Sequence, residues 1–218
     1  MPRALRIEYP GALYHVTARG TRQGAIFLDD RDRAMLLTIL AEALQEYEAR
    51  AFAFCLMGNH YHFVLQTGEA NLSVLMRQIN SLYSQAFNMR HGRRGHVFEG
   101  RYKALHVDRD AYLLEVCRYV DLNPVRAGFV DSPVRWRWSS YRSHVGLVRS
   151  PEWLATAEMH GLLAGPGSAD HLGAATGCRQ YAEWVCLGRD RRLWRESLRH
   201  GLYLGDEAFV ERVRQRRG

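Results

Sequence analysis

The spacing of apolar residues predicts four short β-strands. Apolar and β-forming residues alternate or run together over residues 12–18, 51–57, 60–66 and 101–107, which are typical strand lengths. The Gly-Asn dipeptide at residues 58–59 separates the second and third segments and favours a tight turn. The second and third strands are therefore predicted to form an antiparallel hairpin.

Three helices are predicted between and after these strands, because apolar residues recur there every three or four positions. They run from Asp29 or Asp30 to about Tyr47, from Asn71 or Ser73 to about Met89, and from Asp110 to about Leu122. The polar residue at the start of each helix is a typical N-cap, and Pro124 is expected to end the third helix.

The predicted order is β-α-β-β-α-β followed by a helix, which is the ferredoxin-like split βαβ arrangement of the α+β class. We expect one four-stranded antiparallel sheet with the first two helices on one face. After about Tyr141 the composition changes: residues 161–177 are rich in Gly, Ala and Ser, which predicts a linker, and helical patterns return from Cys178. We therefore predict a first domain over residues 1–145 and a mainly helical, basic extension over residues 146–218.

Composition and charge narrow the class of partner. The chain has 218 residues, 47% of them hydrophobic, and a net charge of +7, which favours a globular protein with a polyanionic partner. Lys103 is the only lysine, and this arginine bias reflects either phosphate recognition or the codon bias of a GC-rich genome. No pair of the four cysteines has CxxC spacing, so we expect neither a structural zinc site nor a redox motif. Four scattered thiols in a sequence without a secretion signal or a membrane-spanning apolar stretch favour a cytoplasmic protein.

Two histidines in the third predicted strand are candidate metal ligands. His60 and His62 are two residues apart, so their side chains share one face of the strand and can reach one ion, while Tyr61 points to the other face. On its own this pattern is weak, and it fits a pair of partly buried histidines with structural hydrogen bonds better than a metal site.

A tyrosine and an asparagine share one face of the third predicted helix. Tyr119 and Asn123 are four residues apart, and a phenol can act as a nucleophile that forms a covalent intermediate. The amide oxygen of Asn123 can ligate the same metal ion as the histidines. The alternative is a core tyrosine and an asparagine at the helix end, with a proline after it.

Several ordered segments resemble the single-tyrosine HUH transposases, and in detail their REP-associated branch. The segments are HVTARG at 15–20, LMGNHYH at 56–62, GHVFEGRYKA at 95–104, RYVDLNPVRAG at 118–128 and WSSY at 138–141. The resemblance covers about residues 8–145, and its order and spacing make it far more specific than two histidines. Gly58 stands where the family usually has Pro, and Asp121 where it often has His, but neither position is a ligand or the nucleophile.

The resemblance implies a reaction and a site. Members of the family cut and rejoin single-stranded DNA through a 5′-phosphotyrosine link, at hairpins in the REP-associated branch. For this chain it implies Tyr119 as the nucleophile and His60, His62 and Asn123 as ligands of Mg²⁺ or Mn²⁺. The implied partner is single-stranded or hairpin DNA, with no membrane and no small-molecule substrate, and we expect a monomer.

Basic and aromatic residues near the predicted site are candidates for DNA contacts. The basic candidates are Arg19, Arg22, Arg93, Arg94, Arg101 and Lys103, and the candidates for base stacking are Phe98 and Tyr102. Taken singly, each charge fits a solvated surface residue as well, and each aromatic ring fits a core residue as well.

The extension carries aromatic residues that need burial and a terminal arginine cluster. The aromatic residues are Trp153, Trp184, Trp194 and Tyr203, and the arginines are Arg212, Arg214, Arg216 and Arg217. Our hypothesis is that the extension packs on the catalytic domain and adds a basic wall for DNA. The alternative is an appendage that only covers a sheet edge or a helix.

Two other functions stay open at this point. A domesticated DNA-binding regulator would keep the fold without moving DNA, and an RNA-binding protein would use the sheet surface. The presence of every catalytic residue type argues against a dead site. The paired sheet aromatics of an RNA-binding signature are absent from the sequence.

Overall fold

The computed structural model describes residues 7–164, 174–188 and 198–216. The strands are β1 (Leu13–Arg19), β2 (Ala49–Leu56), β3 (His60–Thr67), β4 (Lys103–Val107), β5 (Leu198–Arg199) and β6 (Tyr203–Leu204). The helices are α1 (Asp30–Glu46), α2 (Leu72–Arg90), α3 (Arg109–Arg126), α4 (Tyr141–His144), α5 (Thr156–Ala164), α6 (Ala174–Cys186) and α7 (Glu207–Gln215). The predicted α+β class and the order β-α-β-β-α-β-α are confirmed. Within the described ranges, no helix is long and apolar enough to cross a membrane.

All the strands belong to one sheet in the order β2-β3-β1-β4-β6-β5. The first four strands are antiparallel neighbours, with β1 paired to both β3 and β4. The sheet has six strands instead of the predicted four, because the extension adds β5 and β6, and β6 runs parallel to β4. These added strands have two residues each, which is too short for an apolar pattern in the sequence.

The two faces of the sheet bury separate sets of side chains. Helices α1 and α2 cover one face, where Phe63 and Val16 lie in the core with Leu40 and Ile79. On the other face, α3 and α6 enclose a second cluster of buried apolar residues that includes Val64. Since β1 and β3 contribute to both clusters, alternate residues of these strands are fixed to one face or the other.

Helix α3 continues through Pro124, so the prediction that this proline ends the helix is wrong. The helix ends at Arg126, and Gly128, two residues later, has a φ of 73°. The amide of Phe129 donates to the carbonyl of Pro124 at 2.9 Å, and that of Gly128 donates to Val125 at 3.0 Å. This Schellman motif satisfies the last carbonyls, and a proline in the last turn removes only one backbone hydrogen bond.

The extension is attached to α3 through a buried hydrogen-bond network. The hydroxyl groups of Ser140 and Tyr181 donate to the two carboxylate oxygens of Asp121 at 2.6 and 2.7 Å. The predicted linker at 161–177 is wrong at both ends, because α5 extends to residue 164 and α6 begins at residue 174. Trp194 and Arg217 lie outside the described residues.

The pH dependence of stability tests the buried position of His144. Its imidazole is fully buried and donates from Nε2 to the carbonyl of Phe52 at 2.9 Å, and burial lowers its pKa from 6.5 to about 3. The unfolded chain binds this proton more readily, so the contribution is present above about pH 6.5 and is lost as the pH falls towards 3. In urea denaturation, we expect the unfolding free energy to drop by about 1.4 kcal/mol per pH unit in this window, relative to His144→Gln. A constant difference across the window would contradict the assignment.

Candidate active site

A cavity of about 670 Å³ opens where β1 ends and β3 begins, against one side of α3. It is lined by Thr17, Ala18, Arg19, Met57, His60, His62, Glu99, Arg101, Lys103, Tyr119, Asn123, Arg126 and Ala127. The candidate nucleophile, the three candidate metal ligands and three of the predicted basic residues therefore share one pocket.

The strand pairing brings the two candidate histidines together. His60 and His62 lie at the start of β3, with ring centroids 5.0 Å apart and rings nearly perpendicular. Burial lowers the pKa of His60 to about 4, and Arg19 adds to this effect. Burial, together with the neighbouring His15, His60 and Arg19, lowers the pKa of His62 well below its usual value. Both rings are therefore neutral at neutral pH and can offer a nitrogen lone pair.

Both rings form hydrogen bonds through Nδ1. In His60 this atom lies 2.7 Å from Oδ1 of Asn59, and in His62 it lies 3.0 Å from Nε2 of His15. The rings of His15 and His62 are stacked, with centroids 5.2 Å apart. The Nε2 atom of His62 is buried and has no hydrogen-bond partner among the described residues.

Helix α3 places Tyr119 beside the histidines. The phenol ring meets the rings of His62 and His15 edge to face, with centroid distances of 6.0 and 5.9 Å. Burial raises the pKa of Tyr119, and the guanidinium of Arg126, 5.3 Å from the ring centre, opposes that shift. The phenol is therefore protonated at neutral pH and must lose its proton during attack.

Asn123 lies one turn after Tyr119 and also lines the pocket. Its Nδ2 donates to the carbonyl of Tyr119 at 2.9 Å, which leaves Oδ1 as the group available to a ligand. The alternative of an asparagine at the helix end is wrong, because α3 continues beyond Asn123 to Arg126.

The donor set fits a divalent ion. Two neutral imidazoles and an amide oxygen are mixed N/O ligands of the kind that Mn²⁺ accepts, and the orphaned Nε2 of the buried His62 is a candidate ligand atom. In the described parts of the chain no group of three or more His, Cys, Asp or Glu residues lies close enough to hold a metal ion. A site here would therefore depend on Asn123 and on groups from a substrate or solvent.

The predicted basic residues divide into two groups. Arg19, Arg101 and Lys103 line the pocket. Arg93 and Arg94 line a separate cavity of about 200 Å³, formed by the 91–97 loop and the turn after β1, while Arg22 is exposed in that turn. The residues of the second group therefore do not line the pocket.

The two predicted stacking residues lie in the core, so their assignment to the DNA surface is wrong. Phe98 is 7% exposed and contacts Tyr61 and Tyr83, and Tyr102 is 6% exposed. The hydroxyl of Tyr102 lies 3.5 Å from that of Ser73 at the start of α2. These aromatic side chains hold the segment before β4 on the core, and their faces are not available to a base.

Comparison with known proteins identifies the family of the chain. The family described as IS200-like transposases matches residues 9–123, which is more than half of the chain. The chain belongs to the IS200-like transposase family. The matched segment contains both histidines and Tyr119 and ends at Asn123. No curated protein sequence matches the chain.

One solved structure shares the fold of this transposase-family member. It is a REP-associated tyrosine transposase bound to a REP hairpin, with 18% identity and a TM-score of 0.58, and the match covers 71% of this chain and 92% of that one. Two others are less similar. A putative transposase from Deinococcus radiodurans R1 has 14% identity and a TM-score of 0.39, with coverage of 55% and 96%. The tRNA(His) guanylyltransferase of Saccharomyces cerevisiae has 9% identity and a TM-score of 0.41, with coverage of 84% and 82%.

The candidate site contains residues that sequence reasoning did not assign to it. His15 is in the HVTARG segment, but only the pairing of β1 with β3 reveals its contact with His62. Glu99 is the only acidic residue among the described residues that line the pocket. Arg126 lies in the RYVDLNPVRAG segment, where the sequence fits a structural role at the helix end equally well.

Removal of either histidine tests the metal site. We expect His60→Ala and His62→Ala each to lower the affinity for Mn²⁺ by more than about 100-fold in calorimetric titration, because loss of an outer partner alone costs about 10–100-fold. His96→Ala is the control, since His96 is exposed and does not line the pocket. Circular dichroism must show that the variants are folded, and unchanged affinity in both pocket variants would refute the site.

Proposed function

We propose that this protein is a metal-dependent single-strand DNA endonuclease and transposase that cleaves and rejoins DNA at hairpin sequences through a 5′-phosphotyrosine intermediate. The observation that carries this proposal is the position of Tyr119 beside His62, with ring centroids 6.0 Å apart, in a pocket lined by four basic residues. Membership of the IS200-like transposase family supports a transposase-type function. The solved transposase with this fold is bound to a REP hairpin, which supports hairpin DNA as the partner.

The proposed reaction is a transesterification. The Oη atom of Tyr119 attacks the scissile phosphorus, a phosphotyrosine bond forms, and the bond from phosphorus to the 3′ oxygen breaks. The phenol loses one proton and the departing 3′ oxygen gains one, so that the step is balanced without ATP. Attack by a 3′-hydroxyl on the phosphotyrosine reverses the step and rejoins the strand.

Each pocket residue has a role that follows from its position. His60, His62 and Asn123 would hold Mg²⁺ or Mn²⁺, which when bound polarises the scissile phosphate. Arg126, next to the phenol ring, stabilises the phenolate, because a nearby cation lowers the pKa of Tyr119. The remaining basic residues of the pocket wall bind phosphate oxygens, and they are Arg19, Arg101 and Lys103.

The extension has a supporting role in this proposal. We assign the chemistry to residues 1–145, and we propose that residues 146–218 hold α3 in place through Tyr181. None of the described residues of the extension lines the pocket, and Arg212 forms an ion pair with Asp108 at 3.4 Å. These observations favour a packing role over the basic wall that the arginine cluster had suggested.

Replacing the nucleophile tests the proposed chemistry. We expect Tyr119→Phe to abolish the covalent protein–DNA adduct that forms with a labelled hairpin and Mn²⁺, because only the attacking oxygen is lost. Binding of the same hairpin should change little, since the ring keeps its contacts with His62 and His15. The measurement is a denaturing gel together with a filter-binding assay.

Tyr112 provides the matched control, because it lies on the same helix and does not line the pocket. Tyr112→Phe should form the adduct normally. An adduct that persists in Tyr119→Phe would show that another residue attacks. Hairpin binding without any adduct in the wild type would favour the DNA-binding regulator instead.

The basic residues that line the pocket predict that the protein prefers single-stranded DNA and that its affinity falls with salt. We expect the Arg101→Gln, Lys103→Gln double variant to bind hairpin DNA with a single-stranded flank more weakly. The slope of log affinity against log salt should flatten by about 0.7 for each phosphate that the variant no longer neutralises. Arg77→Gln is the control, since Arg77 is exposed on α2, across the sheet from the pocket. Equal affinity of the wild type for plain duplex DNA would count against the proposed substrate.

A further inference from the structure

The hydrogen bonds around His60 fix its tautomer. Asn59 donates from Nδ2 to the carbonyl of Gln23 at 3.0 Å, and its Oδ1 lies 2.7 Å from Nδ1 of His60. A backbone carbonyl can only accept, so the amide nitrogen of Asn59 must face Gln23 and its oxygen must face His60. The oxygen can only accept in turn, which places the hydrogen of His60 on Nδ1 and leaves a lone pair on Nε2.

The second histidine has a partner from the neighbouring strand. Nδ1 of His62 lies 3.0 Å from Nε2 of His15, and only one hydrogen can lie between two neutral rings. If His15 donates it, the hydrogen of His62 lies on Nε2, and if His62 donates it, the hydrogen of His15 lies on Nδ1; both of these atoms are buried, so burial does not distinguish the two arrangements. If His62 donates, Nε2 keeps a lone pair, which is what a metal ligand offers. Of the two rings only His62 lines the pocket, so an ion bound there would select the arrangement in which His62 is the donor.

We propose that Asn59 and His15 are positioning residues that hold His60 and His62 as Nδ1–H tautomers, so that both rings present Nε2 to one ion. The proposal rests on the metal site of the proposed function, since it assigns the two residues that orient its ligands. A strand backbone fixes where each side chain begins but leaves the imidazole free to turn over, and a second hydrogen-bond partner removes that freedom.

The chemical nature of the two partners suits a phosphate substrate. Ligating histidines commonly donate to a carboxylate, which would add negative charge beside the site. An amide and a neutral imidazole orient the rings without adding charge. The positive charge of the pocket is then kept, since its described lining contains four basic residues and one acidic residue, Glu99. His15 is 5% exposed, so water does not compete strongly for the bond.

Tautomers can be measured directly by long-range ¹H–¹⁵N NMR on the metal-free protein with labelled histidines. We expect both His60 and His62 to carry hydrogen on Nδ1 at neutral pH. His15→Leu should move His62 towards the Nε2–H form and leave His60 unchanged. Asn59→Ala should do the reverse, so that each histidine is the control for the other.

Rescue by a conservative variant separates positioning from packing. In His15→Gln, the side-chain amide oxygen can occupy the place of the imidazole acceptor, and the Nδ1–H form of His62 should return. Calorimetric titration with Mn²⁺ should show about 10–100-fold weaker binding for His15→Leu and recovery of most of that loss for His15→Gln. Thermal unfolding of each variant identifies any that does not fold. Asn59→Ala changes a half-buried turn residue, so it tests the proposal without altering the core.

The outcomes distinguish this proposal from the proposed function. An Nε2–H tautomer of either histidine in the wild type, or an unchanged His62 tautomer in folded His15→Leu, would overturn the positioning roles. If the tautomers are as expected but the wild type does not bind Mn²⁺, the metal site of the proposed function fails and the tautomer assignment is retained. Binding of Mn²⁺ with equal affinity by the wild type and both His15 variants would refute the positioning role of His15.

Discussion

The antiparallel register of β1 and β3 is the constraint on which the site depends. Thr17 pairs with His62, and His15 pairs with Val64, so that the two histidine rings meet on one face of the sheet. Tyr61 and Phe63 point to the opposite face, where they are fully buried. A shift of one residue would exchange the two faces and bury the histidines under α1 and α2. The apolar core therefore specifies the geometry of the polar site, because burial of these aromatic side chains fixes the register.

Helix α3 completes the site from a different part of the fold. Its polar face carries Tyr119 and Asn123, while Asp121 between them points into the protein and accepts hydrogen bonds from Ser140 and Tyr181. Burial raises the pKa of Asp121 to about 7, an effect that the two hydroxyl donors oppose. A buried carboxyl group is costly without such partners, so α3 and α6 stabilise each other. The segment that carries the candidate site and the extension are therefore structurally interdependent, even though they differ in composition.

The regular spacing of apolar residues predicted the longer strands and helices of the fold. The strand that carries His60 and the helix that carries Tyr119 were predicted from periodicity. The family resemblance predicted that the two residues belong to one site. The stacking assignment of Phe98 failed because the burial of a residue outside regular structure depends on distant partners, here Tyr61 and Tyr83. The contact of His15 with His62 was missed for a related reason, since it joins residues 47 positions apart and requires the strand register. Local patterns identify elements, whereas burial and cross-strand contacts are properties of the assembled sheet.

The resting charge distribution of the pocket favours entry of a polyanion. Burial keeps the rings of His60 and His62 neutral and the phenol of Tyr119 protonated, so neither the candidate ligands nor the candidate nucleophile contributes charge. The described lining then carries the charges of its four basic residues and of Glu99, and a positive pocket of this kind attracts a phosphate chain before any reaction begins. Arg126 lowers the pKa of the phenol, but burial raises it by more, so the candidate nucleophile stays protonated. In the proposed reaction an entering phosphate brings further negative charge, so ionisation of Tyr119 would be coupled to charge neutralisation at that phosphate. The proposed ligand pair and the proposed nucleophile would therefore have to share one pocket.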